Sequence, residues 1–195
     1  MGKNSFYFTI YFTTFFNKYT VPKDMTYKEW KEKALQNGVE NFGYSGIIKD
    51  KLTEDEERAI NDYISSGSYK INPKLRSGEA LNKREQTMAD NLESALTKMP
   101  EYRGTVYRSL SSDMMKDPKH FWNEHAVGNV VSYDAFTSAS TFVYDKNMDI
   151  QMIIQSKSGK DIRKYNSDEG EILFNRNSKF YVSGIKNNII YLEEV

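Results

Sequence analysis

The chain has 195 residues, 27 Lys plus Arg against 27 Asp plus Glu, and no cysteine. That length suits one domain with a full core. Balanced charge excludes recognition of nucleic acid or an anionic membrane by bulk field, and the missing thiols exclude disulfides, thiolate catalysis and Cys-ligated zinc.

The first apolar run, NSFYFTIYFTTFFNKYT, is interrupted by Thr9, Thr13 and Thr14 and falls short of the roughly 18 apolar residues that a membrane span needs. It also lacks the basic start and small-residue exit of a signal peptide. Its aromatic and Thr content suits a strand or a docking segment. Residues 1–24 are therefore read as an N-terminal extension, and 25–195 as a single domain. Val21-Pro22-Lys23-Asp24 is turn-like, and MTYKEWKEKALQN after it has helical spacing.

Thr53 with Glu56 is a capping box, and Ala59, Ile60, Tyr63 and Ile64 recur at helical spacing behind it. SSGSYKINPKLRSG follows, punctuated by Gly67, Pro73 and Gly78. From about Glu79 to Lys98, Met88, Leu92, Ala95, Leu96 and Met99 draw a second apolar stripe, which Pro100 ends. Beyond Gly104 the character changes. TVYRSL, NVVSYDAFTSAS, DIQMIIQSK, EILFNRN, KFYVSGI and NIIYLEEV are short β-branched and aromatic runs. Helices first and strands second, without βαβ alternation, predict an α+β fold with a mixed or antiparallel sheet. The two histidines, His120 and His125, flank Phe121 and Trp122 and do not match the zinc-binding HExxH pattern. They read as packing or surface residues, and no metal is expected.

Three short stretches are candidates for chemistry, although each alone also reads plainly, the glutamates as a solvated face and the hydroxyls as strand or turn residues. In TVYRSL, Arg108 lies in an apolar strand, where a permanent charge is costly unless it meets an anion; its planar fork suits a diphosphate. In DAFTSAST, Phe136 is an apolar anchor for a cluster of hydroxyls that includes Ser138 and Ser140. A nucleophilic serine would want a histidine base and a GxSxG-type turn, which are absent. In EGEILF, strand alternation would put Glu169, Glu171 and Leu173 on one face and Ile172 and Phe174 on the other.

Arginine on one strand, aromatic-x-Ser-x-Ser on a second and Glu-x-Glu leading a third is the order of the R-S-E class of mono-ADP-ribosyltransferases, which this sequence resembles. The resemblance extends upstream, where Tyr63 and SYKINPKLR, with Tyr69, Asn72, Leu75 and Arg76, look like the element lining the NAD pocket of the bacterial exoenzymes. It implies a helical N-terminal part packed on a two-sheet β core. NAD would be the substrate and no metal would take part. Arg108, Tyr63, Tyr69, Asn72, Ser140 and Phe136 would bind NAD, and Glu171, Glu169 and Ser138 would be catalytic. Tyr165, just after SGKDIRK, together with Glu169 would meet the acceptor, an unidentified protein. Glu at the first position goes with arginine as acceptor in that family. The middle hydroxyl of its Ser-Thr-Ser is replaced here by Ala139. MTYKEW looks like a segment of phage head-associated proteins and Gram-positive toxins, which implies secretion or phage delivery into a host. The same pocket with water as acceptor would be an NAD glycohydrolase; a non-catalytic module of the same fold is the alternative of a different class.

Overall fold

The computed structural model describes the backbone of residues 44–45 and residues 50–195. The N-terminal extension and the MTYKEW helix lie outside the described residues. Helix α1, Glu54–Asp62, begins at the predicted capping box: Thr53 Oγ1 accepts the Glu56 N–H at 3.3 Å, and Glu56 Oε2 accepts the Thr53 N–H at 2.8 Å. Glu56 does more than cap. It is buried, pairs with Lys98 at 2.8 Å and accepts from Ser94 at 2.6 Å, so it bolts α1 to helix α3, Lys83–Lys98. Helix α3 begins at a second capping box, Asn82 with Glu85, four residues later than its sequence suggests.

The expected break between α1 and α3 is instead helical. A π-helical turn, Tyr63–Gly67, runs without interruption into helix α2, Ser68–Ser77, which ends at a left-handed Gly78. Gly67 does not stop the helix, because α3 uses its bare Cα as a packing site: a Cβ there would lie 2.2 Å from Cε of Met88. Pro73 costs the helix one backbone hydrogen bond and is accommodated on its exposed side.

The strands are β1 Tyr44–Ser45, β2 Glu101–Leu110, β3 Val130–Tyr133, β4 Thr137–Ser140, β5 Ile150–Asp161, β6 Glu171–Phe174, β7 Ser178–Lys186 and β8 Ile189–Glu194, with a short helix α4, Pro118–Glu124, before β3. Their order in the sheet is β1-β2-β4-β6-β5-β8-β7-β3, with β2 also paired to β5. All ladders are antiparallel except β5 with β8. The ladders β2–β4, β4–β6, β6–β5 and β5–β2 close a circuit. A closed circuit of four strands cannot lie flat, so the one eight-stranded sheet curls where β2, β4, β6 and β5 meet. The mixed, layered α+β architecture is the expected one.

Two apolar clusters meet on β6. Ile172 and Phe174 enter the sheet cluster with Val106, Ile154 and Phe180. Leu173 enters the helical cluster with Tyr63, Leu92, Leu96 and Phe136. The period-2 alternation of a strand thus decides which layer each side chain serves, and it aims Glu171 to the Leu173 side, at the helical layer.

Because its partners are basic and hydroxylic, Glu56 has a pKa lowered from 4.5 to about 2, chiefly by Lys98 and Ser94. The folded value lies below the unfolded one, so this stabilisation is complete above about pH 4.5 and is lost as pH falls through about 2. Glu56→Gln is expected to lose on the order of 2 kcal/mol at neutral pH and to flatten the stability profile over that acidic window, as read by urea unfolding at stepped pH.

Candidate active site

Three side chains far apart in sequence converge where β2, β4 and β6 adjoin. On β2, Nη1 of Arg108 donates to the Ser138 carbonyl at 2.5 Å. On β4, Ser138 lies opposite Leu173 and Ser140 opposite Glu171. On β6, Glu171 is only 3% exposed; its Oε2 accepts from Asn166 Nδ2 at 2.8 Å, and the Ser138 hydroxyl bonds its carboxylate. Burial raises the Glu171 pKa, and the charge of Glu169 adds to the rise; the bonds from Asn166 and Ser138, and the nearby Arg108, oppose it.

Arg108 is partly buried, and no carboxylate lies within 4.0 Å of it among the described residues. Desolvation lowers its pKa, although a guanidinium keeps its proton throughout the physiological range. Beside it, Tyr133 meets Nε2 of His125 at 2.7 Å, and Nδ1 of His125 meets the Phe121 carbonyl at 2.8 Å. A carbonyl only accepts, so the proton sits on Nδ1 and the Tyr133 hydroxyl donates to Nε2. His125 is therefore a buried structural residue.

The helical layer contributes Tyr63 and Asn72. Asn72 Nδ2 donates to the Tyr63 hydroxyl at 3.0 Å, and burial pushes the Tyr63 pKa up to about 12. Tyr63 packs edge-on against Phe136, with ring centroids 5.7 Å apart, and feels the charges of Glu171, Arg108 and Arg76. Oδ1 of Asn72 is buried and has no hydrogen-bond partner among the described residues, which leaves it an open acceptor at the edge of this cluster.

Not every expected residue joins it as read. Glu169 is not on the strand. It sits half-buried in the turn Ser167–Gly170, and Gly170, with φ of 58°, makes the bend into β6. Its charge still reaches Glu171, but through this turn rather than by strand alternation. Tyr69 is 83% exposed on α2 and stays outside the cluster. Phe136 is buried beneath Tyr63, with the Arg176 guanidinium 5.6 Å from its ring, so it supports the cluster rather than lining it. Ser140 is buried, and its Oγ accepts the Phe142 N–H at 3.1 Å, which gives it a turn-forming job. Tyr165 packs against the helical cluster and bonds Glu57 of α1. Asn166 was not singled out from the sequence: a polar residue before a glutamate pair carries no periodic signal. Nor was Arg76 counted as a second cation, although its charge reaches Arg108. A separate cavity of about 880 Å³, flanked by Arg58, Lys70, Arg84 and Met88, contains none of these residues.

A family model described as ADP-ribosyltransferase exoenzyme matches residues 23–193, and the chain belongs to that family. It is 34% identical over 142 residues, 67% of its length, to the Mycobacterium avium protein Mav, which is named as an NAD(+)–arginine ADP-ribosyltransferase; the chain spans 16% of that relative. Among solved structures, it resembles Exoenzyme S from Pseudomonas aeruginosa, in complex with human 14-3-3 protein beta and bound to Carba-NAD. That match has a TM-score of 0.60 and 18% identity and covers 73% of this chain and 74% of the other. It also resembles the ADP-ribosyltransferase Vis in complex with agmatine, with a TM-score of 0.58 and 22% identity over 89% of this chain and 88% of the other. At these identities the structural likeness speaks to the fold. No helix among the described residues is long and apolar enough to cross a membrane.

Asn166 hydrogen-bonds the charged form of Glu171, so Asn166→Ala is expected to raise the Glu171 pKa further. Carboxyl-carbon NMR titration reads this directly: Glu171 should titrate above an ordinary glutamate in the unaltered protein and higher still in the variant.

Proposed function

We propose that this protein transfers ADP-ribose from NAD to a protein side chain, arginine being the acceptor, with release of nicotinamide. The observation that carries this reading is the unpaired cation beside a buried carboxylate. Among the described residues Arg108 meets a backbone carbonyl and no carboxylate, and Glu171 meets Asn166 and Ser138, so neither charge is spent on the other. A guanidinium in that state is poised for an anion such as a diphosphate. The open Oδ1 of Asn72 suits a donor from the same molecule, a ribose hydroxyl or a carboxamide N–H₂, because an unmet buried acceptor costs about 1–3 kcal/mol. These residues fit NAD as a substrate.

NAD brings its own leaving group, since nicotinamide departs neutral from a cationic pyridinium. Arg108, with Arg76 near it, holds the diphosphate. Glu171 opposes the positive charge that develops on the ribose as the bond to nicotinamide breaks, and nicotinamide keeps the electron pair of that bond. Ser138 and Asn166 keep Glu171 oriented. An arginine Nη forms the new bond to the ribose carbon, and Glu169 accepts the proton this nitrogen loses; no deprotonation is needed beforehand. The relatives' names, exoenzyme among them, support action outside the producing cell or inside a host reached from it.

Glu171→Gln is expected to lower nicotinamide release on the order of 10²-fold or more. Arg108→Lys is expected to weaken NAD binding by about tenfold or more, because a point charge cannot replace the planar fork, and isothermal titration measures it. For Glu169→Gln, transfer to arginine should fall far more than NAD hydrolysis. An equal fall in both would contradict the division of labour, and a protein that releases nicotinamide yet labels no arginine would be a glycohydrolase.

A further inference from the structure

Between β4 and β5 the chain leaves the sheet with two large aromatic side chains in the open. Phe142 is 44% exposed and Tyr144 62%, and their rings lie 6.5 Å apart at an angle of 35°. Single exposed aromatics are ordinary. What distinguishes this pair is its anchorage.

The Ser140 hydroxyl accepts the Phe142 N–H at 3.1 Å and turns the chain at the end of β4. One residue on, the Thr141 N–H donates to the Gly170 carbonyl at 3.0 Å. Gly170 has no room for a side chain: a Cβ there would come within 2.7 Å of Cε1 of Phe142 and of Oγ1 of Thr141. The edge of the Phe142 ring therefore rests on the single residue between Glu169 and Glu171. The ring thus borders the turn that joins the two glutamates.

An open aromatic face beside a carboxylate recognises a particular chemistry. The ring's negative face attracts a cation, and a flat, weakly hydrated guanidinium gains more from it than a strongly hydrated ammonium does. Glu169, the residue before Gly170, can accept two parallel N–H bonds from the same group. We propose that Phe142, with Tyr144 as a second wall, is the acceptor-docking surface: the incoming arginine stacks its guanidinium on Phe142 while Glu169 takes its hydrogen bonds. This rests on the reading of Glu169 and Glu171 given above. It makes Phe142 the residue that selects arginine over lysine, acting on the acceptor.

The test uses agmatine as a soluble guanidinium acceptor and follows two products separately, nicotinamide released without acceptor and ADP-ribosyl-agmatine formed with it. Phe142→Leu keeps apolar cover over Gly170 and removes the π face, whereas Phe142→Tyr keeps both. Phe142→Leu is expected to raise the agmatine KM about twofold to thirtyfold and to shift the partition toward hydrolysis, with Phe142→Tyr restoring it. An unchanged agmatine KM in Phe142→Leu overturns the proposal, as do equal losses of transfer and hydrolysis, which would mean that the ring serves NAD or the fold. Nicotinamide release without any agmatine product from the unaltered protein overturns it too. Absence of nicotinamide release from the unaltered protein overturns instead the reading on which it rests.

Discussion

Arg108 and Glu171 lie in one partly buried seam without neutralising each other. Opposite charges that share a low-dielectric setting attract strongly, and an ion pair between them would leave little of either for a substrate. Here the backbone of β4 intervenes. The Ser138 carbonyl takes the Arg108 donor, and the Ser138 hydroxyl, with Asn166, takes the Glu171 carboxylate. One residue thus serves as neutral partner to both charges. Burial disfavours ionised Glu171 and its hydrogen bonds oppose that effect, so the site carries its electrostatic tension before any substrate arrives.

The rest of the fold keeps that seam in place. The closed circuit of β2, β4, β6 and β5 fixes the separation of the three strands, since none can slide without breaking two ladders. From the other side, the helical layer delivers Tyr63 and Asn72 through a π-helical turn, a feature frequent at functional sites. Glu56 and its partners Lys98 and Ser94 hold α1 against α3, so the layer that carries Tyr63 is tied to the chain end that enters β2. Arg176, bonded to Glu93 of α3 and set over Phe136, makes a similar tie from the turn after β6.

Local signals were legible where they repeat. Capping boxes, an apolar stripe on α3 and short β-branched runs announced helices first and strands second, because each rests on nearest-neighbour chemistry. Even there, Gly67 and Pro73 suggested a loop where the chain stays helical. Their meaning depends on Met88, which packs against Gly67 from another helix. The placement of Glu169 failed for a related reason. Alternation was extended back past Gly170, whose positive φ turns the chain before the strand begins.

The order of Arg108, Ser138 and Glu171 along the chain, and the face that Glu171 shares with Leu173, are properties of the sequence, since they need only the two-residue period of a strand. Which of the nearby polar and aromatic residues serve the seam was decided in three dimensions. Tyr63 and Asn72 turn inward while Tyr69 faces solvent. Ser140 is used to turn the chain, and Asn166 reaches Glu171 across a loop. Hydrogen bonding and desolvation act over a few ångströms of space, and neighbourhood in space is what a linear pattern does not encode.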